Sequence, residues 1–275
     1  MQNVTLSDGT VIRALETHEE RAEAVRLQEE TWGAGFSEKV PAAILLIAEK
    51  TGGVAAGAFA PSGRMVGFLF GLTGLRDGLR VHWSDILTVR PEAQGRRLGE
   101  AMKRYQRDRC RTLGIVHMYW TFDPFVARNA HLNLNVLGAT VDEFVADMYG
   151  TATNSPVHGS LGTDRFVALW PVQQEPRPMP ADAALLRDVP VVAAAPDDAA
   201  LSVRDGGELP KAIAVAVRIP YGYAALLAGD ITRARHWRLS ARRAFQHYLG
   251  AGYRVSAFIP GADAGSDATY LMTRP

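Results

Sequence analysis

Cys110 is the single cysteine in 275 residues. A lone thiol excludes an intrachain disulfide and removes the cysteine clusters on which structural zinc depends. No apolar run approaches the roughly 20 residues that a membrane-spanning helix requires. The opening residues, Met1-Gln2-Asn3-Val4-Thr5, carry neither a basic stretch nor an apolar core, so no secretory signal is expected. An excess of one charge is missing too. The 30 Lys and Arg against 29 Asp and Glu leave a net charge of +1, which argues against wholesale nucleic-acid binding. These absences lead to the expectation of a soluble, cytoplasmic protein with no metal, no membrane and no nucleic acid among its partners.

What is present is ordinary globular material, 47% hydrophobic and 21% charged, enough to bury a full core in one large domain or two. Thr17 and Glu20 form a T-x-x-E capping box that opens a helix faced by Ala22, Val25 and Trp32. A second helix is expected from Pro41 to Gly52-Gly53. Its centre, Ile44 to Ile47, is apolar nearly all round, which suggests a sandwiched helix. Val54–Ala60 and Arg64–Leu72 flank Pro61-Ser62-Gly63 as a hairpin, and a glycine-rich loop then precedes a strand from Arg80 to Val89. On that strand Val81, Trp83, Asp85, Leu87 and Val89 share a face. Asp85 is the one charge there; exposure at a strand end and a role in a site both account for it.

The next helix, to about Leu113, has an apolar stripe of Leu98, Ala101, Met102 and Tyr105. Lys103, Arg104, Arg107 and Arg111 read as its solvated face. A strand at 115–122, a helix ending at Leu137-Gly138, the segment 139–149, a polar loop at 150–162 and a strand at 165–170 complete the first unit. The element order implies a mixed α/β sheet with helices on both faces. The expected divisions are a domain over 1–172, a Pro- and Ala-rich connector over 173–205 and a small α+β module over 206–275. Residues 127–144 align without gaps on 241–258, with Gly138 on Gly252. A degenerate half-repeat and chance matching both explain this.

The most informative stretch runs Leu87-Thr88-Val89-Arg90-Pro91-Glu92-Ala93-Gln94-Gly95-Arg96-Arg97-Leu98-Gly99. A strand ends, Pro91 punctuates a turn, and a basic, glycine-containing loop opens a helix. That layout aims backbone N–H groups and a helix N-terminus at one spot, which suits a pyrophosphate.

This stretch resembles the acyl-CoA pyrophosphate loop of the GNAT acyltransferase superfamily, whose pattern is Gln or Arg, two free positions, Gly, one free position, then Gly or Ala. Gln94 and Gly99 match its first and last places, and Arg97 stands where the middle glycine is usual. Leu137-Gly138-Ala139 is similar to the turn that ends the fourth helix of these folds. The resemblance spans roughly residues 11–170. A bacterial subset with a C-terminal extension looks similar in Thr121-Phe122-Asp123-Pro124, Arg128-Asn129-Ala130, Asn133, Thr163-Asp164-Arg165-Phe166, Trp237-Arg238 and Gly252-Tyr253.

The resemblance implies a GNAT-like mixed twisted sheet flanked by helices, and transfer of an acyl group, acetyl or succinyl, from acyl-CoA to the primary amine of a small molecule such as an amino acid. It puts the pantetheine on the backbone of Leu87, Thr88 and Val89, and the pyrophosphate on Gln94, Gly95, Arg96, Arg97, Leu98 and Gly99. The base is expected at Asp85, ahead of His82, His117, Asp123 and His131. The tyrosine acid usual in the family is replaced by Leu134, leaving Tyr149, Tyr119 or water. Arg128 and Arg165 are candidate carboxylate clamps, each offering a bidentate fork. Asn129 and Asn133, four apart, share a face and are candidates to orient the acceptor. No metal is implied. Homodimers are common in the superfamily, and the C-terminal module is a candidate to cover the acceptor side or to join subunits. The missing tyrosine also keeps open a non-catalytic acyl-CoA-binding protein.

Overall fold

The computed structural model describes residues 3–150, 161–192, 208–261 and 266–275. These divide into two compact units: residues up to Trp120 with Trp170–Glu175, and the remainder. Most of the polar loop expected over 150–162, and the connector beyond 192, lie outside the described residues.

In the first unit β1 (Val4–Thr5), β2 (Val11–Ala14), α1 (His18–Trp32), α2 (Ala42–Lys50), β3 (Val54–Phe59), β4 (Met65–Arg76), β5 (Leu79–Val89), α3 (Leu98–Thr112) and β6 (His117–Phe122) follow one another, the last two residues of β6 belonging to the second unit. Strands β1 to β5 are antiparallel neighbours and β5 pairs with β6 in parallel. This is the expected mixed sheet flanked by helices. The capping box forms as read: Glu20 N–H donates to Thr17 Oγ1 at 3.2 Å and Thr17 N–H donates to Glu20 Oε2 at 3.4 Å. Leu15, Ala24, Leu27, Leu45, Ala48, Phe68, Phe70 and Ile86 close the core between helices and sheet.

Helix α2 is not sandwiched. Only its Leu45 and Ala48 are buried, while Ile44 and Ile47 face solvent. A single i, i+3 stripe suffices to seat a nine-residue helix, so apolar content alone overstated its burial. The expected glycine-rich loop after Leu72 is also absent. β4 continues to Arg76 and reverses through Asp77-Gly78, whose φ values of 52° and 75° are those of a tight two-residue hairpin turn.

The second unit contains α4 (Ala127–Ala130), which widens into a π-type stretch over His131–Val136, then β7 (Thr140–Val145), β8 (Arg165–Pro171), β9 (Val191–Val192), β10 (Ala214–Ile219), α5 (Tyr223–Gly229), α6 (Ile231–Gly250), β11 (Arg254–Ile259) and β12 (Ala268–Thr273). β7 and β8 pair antiparallel, and a four-stranded sheet has the order β11-β12-β10-β9. Phe144, Phe166, Phe245, Phe258 and Tyr270 form one aromatic core, with Phe166 and Phe245 centroids 4.7 Å apart. Gly138 and Gly252, matched in the sequence alignment, each turn from a helical segment into a strand at positive φ (72° and 86°). Among the described residues no helix is long and apolar enough to cross a membrane.

One irregularity in the first unit positions everything that follows. Phe70 faces Ile86 but Gly71 faces Ser84, so Asp85 is an extra residue, a β-bulge, in β5. The pairs of β5 with β6 are Val81–His117, His82–Met118 and Trp83–Tyr119, and none follows the bulge among the described residues. Opposite the bulge a side chain at Gly71 would lie 2.3 Å from His82 Nε2 and 2.6 Å from the Trp83 carbonyl oxygen. Gly71→Ala is therefore expected to destabilise the fold by about 2 kcal/mol or more through overpacking, read as a lower urea midpoint.

Candidate functional site in the first unit

The loop after β5 is held from below by Arg90. Buried, it donates from Nε to the Met65 carbonyl at 2.9 Å and pairs with Glu23 at 2.6 Å and with Glu30. Pro91–Ala93 make one 3₁₀ turn, and the Gln94 amide then donates back to the Val89 carbonyl at 2.9 Å, tying loop to strand. Gly95 and Arg97 both adopt positive φ, 77° and 59°. Arg97 thus takes the left-handed conformation that suits the glycine usual at its place. Helix α3 starts at Leu98, and its first i→i−4 bond runs from Ala101 N–H to the Arg97 carbonyl at 3.1 Å. The N–H groups of Leu98, Gly99 and Glu100 precede that bond and have no acceptor inside the helix. Alternating positive-φ residues and a helix N-terminus present donors and partial positive charge to an anion. Arg96 lies 3.9 Å from Asp8, and the Arg97 and Arg104 guanidinium groups both hold Glu100, at 2.8 and 2.9 Å.

Along β5 the burial is the reverse of what apolarity suggests. His82, Ser84, Ile86 and Thr88 are buried, whereas Val81, Trp83, Leu87 and Val89 are only partly covered and Asp85 is exposed. The Thr88 hydroxyl is committed to Thr31 Oγ1 at 2.7 Å, so what Thr88 can offer a ligand is its backbone. Protein mass around Asp85, with Glu38 nearby, raises its carboxyl above the ordinary carboxylate pKa even though water reaches it.

The buried face carries a polar chain that the sequence reading missed. Lys103 Nζ donates to Ser84 Oγ at 2.7 Å, and Ser84 donates to Gln106 Oε1 at 2.7 Å. Gln106 Nε2 is 3.0 Å from His82 Nε2, His82 Nδ1 is 3.1 Å from Thr73 Oγ1, and Thr73 donates to the Gly52 carbonyl at 2.7 Å. Because the Gln106 Nε2 group can only donate, His82 accepts on Nε2 and carries its proton on Nδ1. Burial lowers the Lys103 pKa to about 7. Burial, with Lys103 adding, lowers that of His82 to about 3. Lys103 and Arg107 therefore do not belong to a solvated face: they are 4% and 6% exposed. Lys103, Gln106 and Cys110 recur at helical spacing beside the apolar stripe, a second stripe that was legible but masked by its polarity.

The remaining candidates lie in the second unit. Tyr149 is partly exposed; its hydroxyl is 3.0 Å from Thr121 Oγ1 and its ring lies under the Arg165 guanidinium at 5.5 Å. Arg165 is buried, donates to the Asp164 carbonyl at 2.8 Å and lies 3.8 Å from Asp123. Arg128 is exposed, Asn129 half-buried and Asn133 buried, the last two separated by the change from α to π winding. Asn135, read from sequence as solvated, donates to the carbonyls of Met179, Pro180 and Phe258 at 3.0–3.2 Å. The motifs around Asp123, Asp164 and Arg238 converge on one ion cluster, buried at Asp164, Arg165 and Arg238. Arg238 binds Asp123 at 2.8 Å, and Arg242 binds Asp164 at 2.7 Å and Asp147 at 2.9 Å.

A mixed sheet, a bulged strand, a glycine-bearing loop and a helix opening from it define a mixed α/β fold. More narrowly, the fold is GNAT-like. The ribosomal-protein-S5-alanine acetyltransferase of Vibrio fischeri superposes over 63% of this chain and 98% of its own, with a TM-score of 0.50 at 10% identity. The phosphinothricin acetyltransferase of Sinorhizobium meliloti, a GNAT superfamily protein in complex with AcCoA, matches over 61% and 93% with a TM-score of 0.47 at 16% identity. No family model matches the sequence, and no curated protein matches it.

Two outcomes follow from this geometry. Arg97→Gly removes left-handed strain and an exposed ion pair worth little, so stability should stay level or rise by up to about 1 kcal/mol in urea unfolding. For Lys103 the native state binds fewer protons than the unfolded state between about pH 7 and its unfolded value near 10.4, so stability rises with pH there and the full penalty stands below 7. His82 stays neutral over this range and Cys110, pushed up to about 12 by burial, stays protonated. Lys103→Met should therefore be more stable than wild type at pH 7, its advantage shrinking toward pH 9.5 by at most roughly 1.4 kcal/mol per pH unit. Equal pH slopes in the two proteins would contradict the lowered lysine.

Proposed function

We propose that this chain is an acyl-CoA-dependent N-acyltransferase that moves an acetyl or succinyl group to the primary amine of a small molecule, an amino acid being the favoured class. The observation that carries the reading is the loop at 94–99, with left-handed Gly95 and Arg97 at the N-terminus of α3, directly after a strand edge freed by a bulge. The donor set suits a pyrophosphate, held by Gln94, Gly95, Arg96, Arg97, Leu98 and Gly99. The backbone of Leu87, Thr88 and Val89 is the proposed contact for the pantetheine arm. Residues 1–172 form the proposed acyl-CoA domain, 173–205 a connector and 206–275 an accessory module. The reading has the protein working in the cytoplasm.

In the reaction the amine nitrogen attacks the thioester carbonyl carbon, a C–N bond forms, the C–S bond breaks and the thiolate leaves. Asp85 is the proposed base, taking the ammonium proton through water before attack. Its raised pKa keeps it a somewhat stronger base than an ordinary aspartate. Tyr149 is the proposed donor of the proton that the thiolate takes up, and it is restored by the second proton that the nitrogen loses as the amide forms. Arg128, exposed, is the proposed clamp for an acceptor carboxylate, with Asn129 and Asn133 beside it in sequence and Arg165 supporting Tyr149 and Asp123.

A second reading has one specific observation in its favour. Leu134, at the place of the family's acid tyrosine, is fully buried and offers no proton. A protein that binds acyl-CoA without turning it over would have that property. Release of free thiol from acetyl-, propionyl- or succinyl-CoA, tested against a panel of amines including D- and L-amino acids, separates the two. Turnover with at least one pair is expected, and Asp85→Asn should lower kcat/KM by about 10²-fold, in the range of general-base loss. Tight CoA binding with no thiol release from any pair would instead establish the binding protein.

A further inference from the structure

The polar chain behind β5 has no role in the chemistry proposed above, and it is costly. Lys103 lies buried on α3, with Ser84 as its hydrogen-bond partner and the Trp120 ring face 4.1 Å away. Among the described residues no carboxylate offsets its desolvation. A methionine of similar volume would avoid that cost, since a buried ammonium without a counter-ion is among the least favourable groups in a core. What the lysine secures is a place: Ser84 is the residue immediately before the bulge, and Lys103 stands just over one turn into the helix that the loop opens.

Every bond of the chain runs in one direction. Lys103 donates to Ser84, Ser84 to Gln106, Gln106 to His82, His82 to Thr73, and Thr73 to the Gly52 carbonyl. Each middle member both accepts and donates, so the chain is satisfied in only one arrangement and resists rotation of any side chain in it. It fastens β5 to α3 at His82 and Ser84, where the β6 pairs end among the described residues. Gly71 keeps the room it needs, since a methyl there would also meet Gln106 Nε2 at 2.8 Å.

We infer that Lys103 and Ser84 are positioning residues for the thioester end of the acyl-CoA, pinning β5 at the residue before its bulge so that the Leu87–Val89 edge stays open to the pantetheine arm. The pyrophosphate end depends instead on the loop and the α3 N-terminus. This inference rests on the acyl-CoA reading.

The test is calorimetric titration of the full chain with acetyl-CoA and, separately, with ADP, which carries a pyrophosphate but no pantetheine, alongside thermal unfolding. Lys103→Met is expected to melt higher than wild type and yet bind acetyl-CoA at least tenfold more weakly, with ADP binding unaltered. A merely structural residue would move stability and affinity the same way. Ser84→Ala, which removes one hydroxyl, should weaken acetyl-CoA binding by a similar factor. The double variant should be no worse than either single one, because both changes cut the same link. Acetyl-CoA affinity within twofold of wild type in both variants, additive losses, or parallel loss of ADP would overturn the positioning role alone. Failure of the wild-type chain to bind acetyl-CoA would overturn the acyl-CoA reading itself, and the inference with it.

Discussion

Between Ser84 and Ile86 the chain carries one residue more than β4 can match, and among the described residues β5 has no β6 pair past that point. A strand paired on both edges has its backbone groups spent on its neighbours. Among the described residues the β6 pairs end at Trp83, and the bulge at Asp85 follows, before the strand runs into the loop at 94–99. A bulge also bends and twists its strand, so it must be held from the side to give one geometry. The Lys103–Ser84 contact and the bonds that continue it supply that hold on one face, and Arg90 supplies it at the foot of the loop.

The second unit solves a different problem. Its aromatic core is joined to an ion cluster in which Asp123, Asp147 and Asp164 meet Arg165, Arg238 and Arg242, equal numbers of each sign. At the buried members, Arg165, Arg238 and Asp164, removing a partner leaves a charge uncompensated at a cost of about 3–5 kcal/mol. Tyr223 and Phe125, packed against the Arg238 guanidinium, cover the cluster. The motif residues singled out around Asp123, Asp164 and Arg238 thus have a structural use as partners of one another. Arg165, expected as a carboxylate clamp, already has an acid beside it from within the chain.

Local signals are legible where both partners lie close together in the chain. The capping box at Thr17 and Glu20, the turn at Pro61-Ser62-Gly63 and the glycine at 138 needed only neighbouring residues to be recognised. The loop was legible for the same reason, down to the oddity at position 97. Arg97 could not be assigned a backbone angle from sequence, since a non-glycine residue enters the left-handed region only when its surroundings hold it there. Apolar content overstates the burial of α2, and glycine count hides the long β4–β5 hairpin, whose turn chemistry lies in Asp77-Gly78.

The sequence by itself determined the element order, the mixed sheet and the anion-directed loop, because periodicity, caps and turn residues act over a few positions. Tertiary structure alone decided which face of β5 is buried, that Lys103 lies inside, and that Asp85 is the bulged residue. Each of those depends on what another segment brings against the strand: Gln106 and Lys103 from α3, Gly71 from β4. A lysine on a helix is read as solvated until a serine from a distant strand is seen to accept its hydrogen bond, and no spacing along the chain reports that distance.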